Sequence, residues 1–256
     1  MPIDAEQLLT AIQTYFWPFL RISALLLVAP VFSAGSVTVR VRILMAVLFV
    51  ALMAPLLPPT AGVDALSGVG FLLAMREVAI GLVMGFMMQM VFSAVVVAGE
   101  TLAMSMGLGF AMTVDPQNGV QVPVVSQLNV ILATLLYLAI VGHLLLLAAL
   151  ADSFGVIPID SGGLDTATFG NLVGLAGQIF TSALLLALPA LTAVLMVNIA
   201  FGVITRAAPQ LNIFAVGFPV TILVGFVFML LALPAFLGVL QRFLERGLQQ
   251  TLLVLV

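Results

Sequence analysis

Six long apolar runs cover most of the chain: Leu8–Phe32, Ile43–Leu57, Val78–Ala98, Val130–Ala151, Leu172–Ile204 and Ile213–Leu240. Each is read as helical, because a helix satisfies its own backbone groups where water is absent. The second run has only fifteen residues, about 22 Å of helix against a hydrocarbon core of roughly 30 Å, so it is a poor candidate for a full crossing. Gly81, Gly85, Gly142, Pro189, Gly202, Pro219 and Pro234 punctuate the other runs and predict kinks and close helix approaches. Gly81 and Gly85 in particular form a small-xxx-small pair.

Composition fixes the medium. With 64% hydrophobic and 7% charged residues over 256 positions, the chain has too little polar surface for a soluble domain and reads as one all-α integral membrane domain, 1–256. The first residues carry Asp4 and Glu6 and no basic side chain, so the first apolar run is expected to stay in the mature chain. Every positive charge is an arginine, thinly spread, and no basic patch suits a nucleic acid. The absence of cysteine removes disulfides, thiolate metal sites and thiol nucleophiles.

The few charges create a conflict of parity. Arg40 and Arg42 follow the first run, Arg206 precedes the last, and Arg242 and Arg246 follow it. Six complete crossings would put the C-terminal arginines on the opposite side from the others, against the positive-inside rule. Either one run is not a crossing, with the second run or the region 98–123 as candidates, or the chain is no conventional bundle. Kinked helical hairpins buried against other subunits are the favoured resolution, with Tyr15, Phe16 and Trp17 as an interfacial anchor.

Ionisable residues within the runs can be weighed singly. Arg21 lies mid-run, where a cation costs roughly 2.5–3.5 kcal/mol on insertion scales; it either snorkels to an interface or, the favoured reading, is buried against a carboxylate or helix carbonyls of a neighbour. Arg76 and Glu77 are adjacent and point apart on a helix, so they either find separate partners or mark a helix start. Glu100 is a candidate partner for Arg21 or Arg76. His143, the single histidine, has no second ligand within a helical turn and reads as structural rather than metal-binding. No hydrolase, Walker or dinucleotide motif is present, and neither an enzyme nor a cofactor is expected. A secondary transporter or small-solute channel is the rival function, since broken apolar helices build midplane sites. From Thr166 to Thr205 and from Ala207 to Gln241, however, no ionisable side chain exists to couple transport; Gln178, Asn198 and hydroxyls are the polar groups there.

Two stretches are chemically distinctive. "MSMGLGFAMTVDPQNGVQVP", residues 104–123, combines Gly107, Gly109 and Gly119 with Met104, Met106, Met112 and Phe110, then Asp115-Pro116 and Asn118-Gly119. Flexible backbone, adaptable apolar bulk and turn chemistry together predict a re-entrant loop, either a closure or a plain connector. "RAAPQLNIFAVGFP", residues 206–219, places a helix-breaking Pro209 beside Gln210 and Asn212, with Phe214 and Phe218 available for packing. It predicts a hairpin tip whose Arg206, Pro209, Gln210, Asn212, Phe214 and Phe218 contact a neighbouring subunit.

These motifs occur in an order that carries a resemblance: "YFWPFLR" (15–21), "APVFS" (29–33), "AGE" (98–100), "MGLGFAMTVDP" (106–116), "GHL" (142–144), "ALP" (187–189) and "RAAPQLNIFAVGFP" (206–219). The chain resembles the flagellar biosynthetic protein R family over essentially its whole length, departing at Thr38, where that family usually has Pro. The resemblance implies a subunit of a type III protein-export gate in the bacterial inner membrane, within the flagellar basal body. It implies assembly with P and Q subunits, residues 1–123 resembling P and the C-terminal portion of 124–256 resembling Q. It further implies the switch protein FlhB as partner, unfolded flagellar proteins as cargo, surrounding lipid, and closure by a plug at Met104, Met106, Gly107, Gly109, Phe110, Met112, Asp115 and Pro116. Arg21 and Glu100 join the expected subunit contacts.

Overall fold

The structure, a computed structural model, describes residues 5–57, 67–108, 123–159, 166–208 and 213–253. Among them are seven α-helices and one 3-10 turn, and no strand. We number the helices α1 (Ala5–Val28), α2 (Val39–Met53), α3 (Gly68–Ser105), α4 (Val124–Ala139), α5 (Gly142–Val156), α6 (Thr166–Ala207) and α7 (Ile213–Leu253). This is an all-α membrane protein. Among the described residues three helices are long and apolar enough to cross a bilayer, and the interrupted pair α4/α5 makes a fourth if counted as one span. Of α1, the part Thr14–Val28 is a shorter apolar helix, and α2 has fifteen residues, about 22 Å of helix and short of a hydrocarbon core.

Several apolar runs extend or divide. α3 has 38 residues, α6 has 42 and α7 has 41; at 1.5 Å per residue each is about 57–63 Å long, roughly twice a hydrocarbon core. Arg76 and Glu77 therefore lie inside α3 rather than at its start. The fourth run is two helices, because Val141 adopts φ 59°, ψ 24°, a left-handed conformation that stops α4 and starts α5. Pro189, Pro219 and Pro234 all sit within continuous helices.

The chain divides into two compact units, the first of residues 1–90, 141–176 and 245–256, the second of residues 91–140 and 177–244. In the first, α1 packs on α3 through the glycine pair: a Cβ on Gly81 would meet Ala24 Cβ at 2.9 Å, and one on Gly85 would lie 3.1 Å from the backbone nitrogen of Ala29. Glycine here lets two backbones approach as a side chain would forbid. Trp17 is fully buried, in edge contact with Phe16 at 5.1 Å, whereas Tyr15 and Phe16 are exposed. Of the expected aromatic anchor, Trp17 is thus a core residue. Thr38 caps α2 with φ −65°, ψ 151°, a backbone that Pro would also adopt, so this departure from the resembled pattern leaves the turn unstrained. Arg42 donates to the carbonyls of Phe32 (3.1 Å) and Val37 (3.4 Å), holding the α1–α2 connection.

In the second unit α3 and α4 form an antiparallel hairpin. Phe92 meets Tyr137 edge-on at 5.8 Å. Nearer the tip, Ser126 Oγ donates to the Val96 carbonyl at 3.0 Å and lies 2.6 Å from where a Cβ on Gly99 would be.

Candidate functional site

The first unit holds a buried polar cluster. Arg21 and Glu77 are both fully buried, and their contact is a two-pronged fork: Nε to Oε2 at 2.7 Å and Nη2 to Oε1 at 3.1 Å. Arg21 Nη1 donates to Ser153 Oγ at 3.1 Å, and Nη2 also donates to the Ile157 carbonyl at 3.0 Å. The guanidinium carbon stands 4.1 Å from the centroid of the Phe154 ring. Arg76 donates to the Pro158 carbonyl at 3.1 Å and the Ile159 carbonyl at 2.9 Å. Two arginines thus hold three successive carbonyls beyond the C-terminus of α5, the end of a helix that favours cations. The expectation of a buried, partnered Arg21 holds, with a correction of the partner: the carboxylate is Glu77, while Glu100 is partly buried farther along α3. All of these Arg21 contacts are within the chain.

These contacts tie α1, α3 and the end of α5 together. Among the described residues no cluster of three or more His, Asp or Glu side chains could hold a metal.

The second unit holds the start of the glycine- and methionine-rich stretch. α3 ends in a Schellman motif: Leu108 N–H donates to the Ala103 carbonyl at 2.9 Å and Gly107 N–H to the Met104 carbonyl at 3.1 Å, with Gly107 at φ 81°. Gly107 is therefore the residue that stops the helix. Its missing side chain is also required by space, since a Cβ there would lie 2.5 Å from Phe218 Cδ1. The two last carbonyls of the turn are taken by other helices: Asn198 Nδ2 of α6 donates to Ser105 at 3.1 Å, and Thr221 Oγ1 of α7 donates to Met106 at 3.3 Å. Met106 is buried, and its side chain lies across Gly225, where a Cβ would be within 2.6–2.8 Å of the Met106 sulfur and carbons.

The structure therefore brings together residues of the two distinctive motifs, Gly107 and Phe218, within one chain. Met106 serves packing, and Met104, 66% exposed, is the methionine of this turn that faces outward. Gly109, Phe110, Met112, Asp115 and Pro116 lie outside the described residues, as do Pro209, Gln210 and Asn212; the side chain of Phe214 is likewise outside them. Arg206 is exposed in the last turn of α6. Sequence reasoning missed Thr221 and Gly225. Their signal was present in the spacing Gly217, Thr221, Gly225, which puts three small residues on one helical face.

Comparison with known proteins places this geometry in a family. The family model for bacterial export proteins, family 1, matches residues 12–247. The flagellar biosynthetic protein FliR of Escherichia coli (strain K12) is 40% identical over 234 residues, 91% of this chain and 89% of the relative. FliR of Pectobacterium carotovorum subsp. carotovorum is 42% identical over 224 residues, 87% and 85% of the two chains. FliR of Bacillus subtilis (strain 168) is 29% identical over 229 residues, again most of both chains. The chain belongs to the FliR family of bacterial export proteins.

Proposed function

We propose that this protein is a non-enzymatic subunit of the flagellar type III protein-export gate, required for assembly of the flagellum. In this reading it completes a pore with P and Q subunits in the bacterial inner membrane, at the base of the flagellum, next to the switch protein FlhB. Unfolded flagellar proteins pass through, and the segment 104–123 helps to close the path between passages. Residues 1–123 take the place of a P-like part and the C-terminal portion that of a Q-like part.

The observation that carries this reading is the fixing of both ends of the distinctive segment in one unit. It leaves α3 through the Schellman turn at Gly107 and returns to α4, whose Ser126 packs at Gly99, seven residues before Met106, or about 10 Å of helix. Ends tethered so closely support the reading of the segment as re-entrant. Supporting the assembly are the apolar faces of α6 and α7: only 22% and 6% of the residues in their most apolar stretches are buried, against 67% for α3. Such surfaces require lipid or partner helices.

The decisive experiment replaces Met104, Phe110 and Met112 together by Ala in cells expressing the whole gate. Apolar constrictions close pores by excluding water, so removal of this bulk is expected to raise leakage of ions and small dyes while pull-down with P and Q subunits persists. An assembled gate with an intact barrier would refute closure by this segment. Failure to co-purify with P and Q subunits would refute the gate reading as a whole.

A further inference from the structure

We propose that Phe218, Thr221 and Gly225 of α7, with Asn198 of α6, are positioning residues that fix the end of α3 and thereby set the direction in which the 104–123 segment leaves it. The inference rests on the reading of that segment as a closure and adds the residues that hold it in place.

The contact between α3 and α7 is reciprocal. Gly107 leaves room for the Phe218 ring, and Gly225 leaves room for the Met106 side chain. Each helix supplies one gap and one filler, from adjacent residues on α3 and from residues seven apart, two helical turns, on α7. Such double interdigitation admits one register, since a slide by a single turn would put a side chain where each gap is needed.

The polar contacts act on the same turn. A helix end leaves its last carbonyls without intrahelical partners. The Ala103 and Met104 carbonyls are satisfied by the turn itself, that of Ser105 accepts from Asn198, and that of Met106 shares the Thr221 hydroxyl proton with the Phe218 carbonyl. Thr221 Oγ1 is also 3.0 Å from the Phe218 carbonyl of its own helix. The Met106 carbonyl is buried, where an unpaired acceptor is costly. The turn at Gly107 closes α3 by its own hydrogen bonds, and the contacts from α6 and α7 hold that turn in place against them.

A size exchange tests this. Gly225→Leu fills the gap that Met106 occupies, and Met106→Ala in the same chain makes room again. In the assembled gate, checked by pull-down, Gly225→Leu is expected to raise ion and dye leakage several-fold, and Gly225→Leu with Met106→Ala to restore the barrier. Thr221→Val, which keeps the shape and removes the donor, is expected to leak less than Gly225→Leu but above the parent, and it serves should Gly225→Leu fail to assemble. Because the chain has no native cysteine, Met106→Cys with Gly225→Cys gives a clean disulfide probe. Cross-linking of that pair in the closed gate is expected, and its absence would overturn the contact. A tight barrier in assembled Gly225→Leu and Thr221→Val, alongside a leaking Met104, Phe110 and Met112 triple variant, would overturn the positioning role and spare the closure. Leakage of Gly225→Leu that Met106→Ala does not cure would overturn the reciprocal fit. No leakage in any variant, the triple included, would overturn the closure and the positioning role with it.

Discussion

Arg21 and Glu77, 56 residues apart in sequence, meet in a fully buried two-pronged ion pair with bonds of 2.7 and 3.1 Å. Removing one partner from such a pair leaves an uncompensated charge, typically at a cost of 3–5 kcal/mol, whereas replacing both by apolar groups is often near neutral. Arg21→Leu and Glu77→Leu are each expected to reduce sharply the folded protein recovered in detergent, and the double variant to recover most of it. Arg21→Lys should recover little, because an ammonium cannot reproduce the fork or reach Ser153 and Ile157 together. Thermal melts of the four variants check the cycle.

Gly81→Ala places a methyl group against the backbone of α1, with Ala24 Cβ at 2.9 Å, and overpacking of this kind costs about 1–3 kcal/mol. Gly202→Ala meets nothing within 4 Å and is expected to be neutral or to stabilise by up to about 1 kcal/mol through helix propensity. The opposite signs, read as shifts in melting temperature, separate glycines that measure a helix approach from one that does not.

Val141 holds a left-handed backbone, φ 59°, which costs a residue with a Cβ roughly 1–2 kcal/mol. Val141→Gly is expected to raise the melting temperature, unless the substitution also straightens α4 into α5. Circular dichroism distinguishes the two, since straightening adds helical signal.

Ser126 both donates to the Val96 carbonyl and fits the gap at Gly99. Ser126→Ala keeps the fit and removes one hydrogen bond, an expected loss of about 0.5–1.5 kcal/mol. Ser126→Leu cannot fit against Gly99 and is expected to open the α3–α4 hairpin. Protease susceptibility between residues 108 and 123 should rise in Ser126→Leu and stay at the parent level in Ser126→Ala.

The helices were legible because unbroken apolar runs in a membrane chain have one backbone solution. The Gly81–Gly85 contact was legible for a similar reason, since small residues four apart leave a gap on one face. The break at Val141 was not. Valine carries no signal for a left-handed turn, and nothing in "YLAIVGHL" marks it apart from Gly142, which begins the next helix instead. That Arg21 needed a partner followed from the price of a bare cation in lipid, but the choice of Glu77 over Glu100 depends on the register of α1 against α3, which only packing fixes. Trp17 had the composition of an interfacial residue and the position of a core one. In the second unit Gly107 was legible as a backbone device, whereas its neighbour Phe218 lies 111 residues away and each side of the contact is ordinary on its own.

The sparse burial of α6 and α7, 22% and 6% in their most apolar stretches, bears on how long a newly made copy survives. A copy without partners presents two long apolar helices whose outer faces only lipid covers. In the proposed gate, P and Q subunits replace that lipid, so the lifetime of this chain is expected to follow their abundance, and surplus synthesis to raise turnover rather than the number of finished gates.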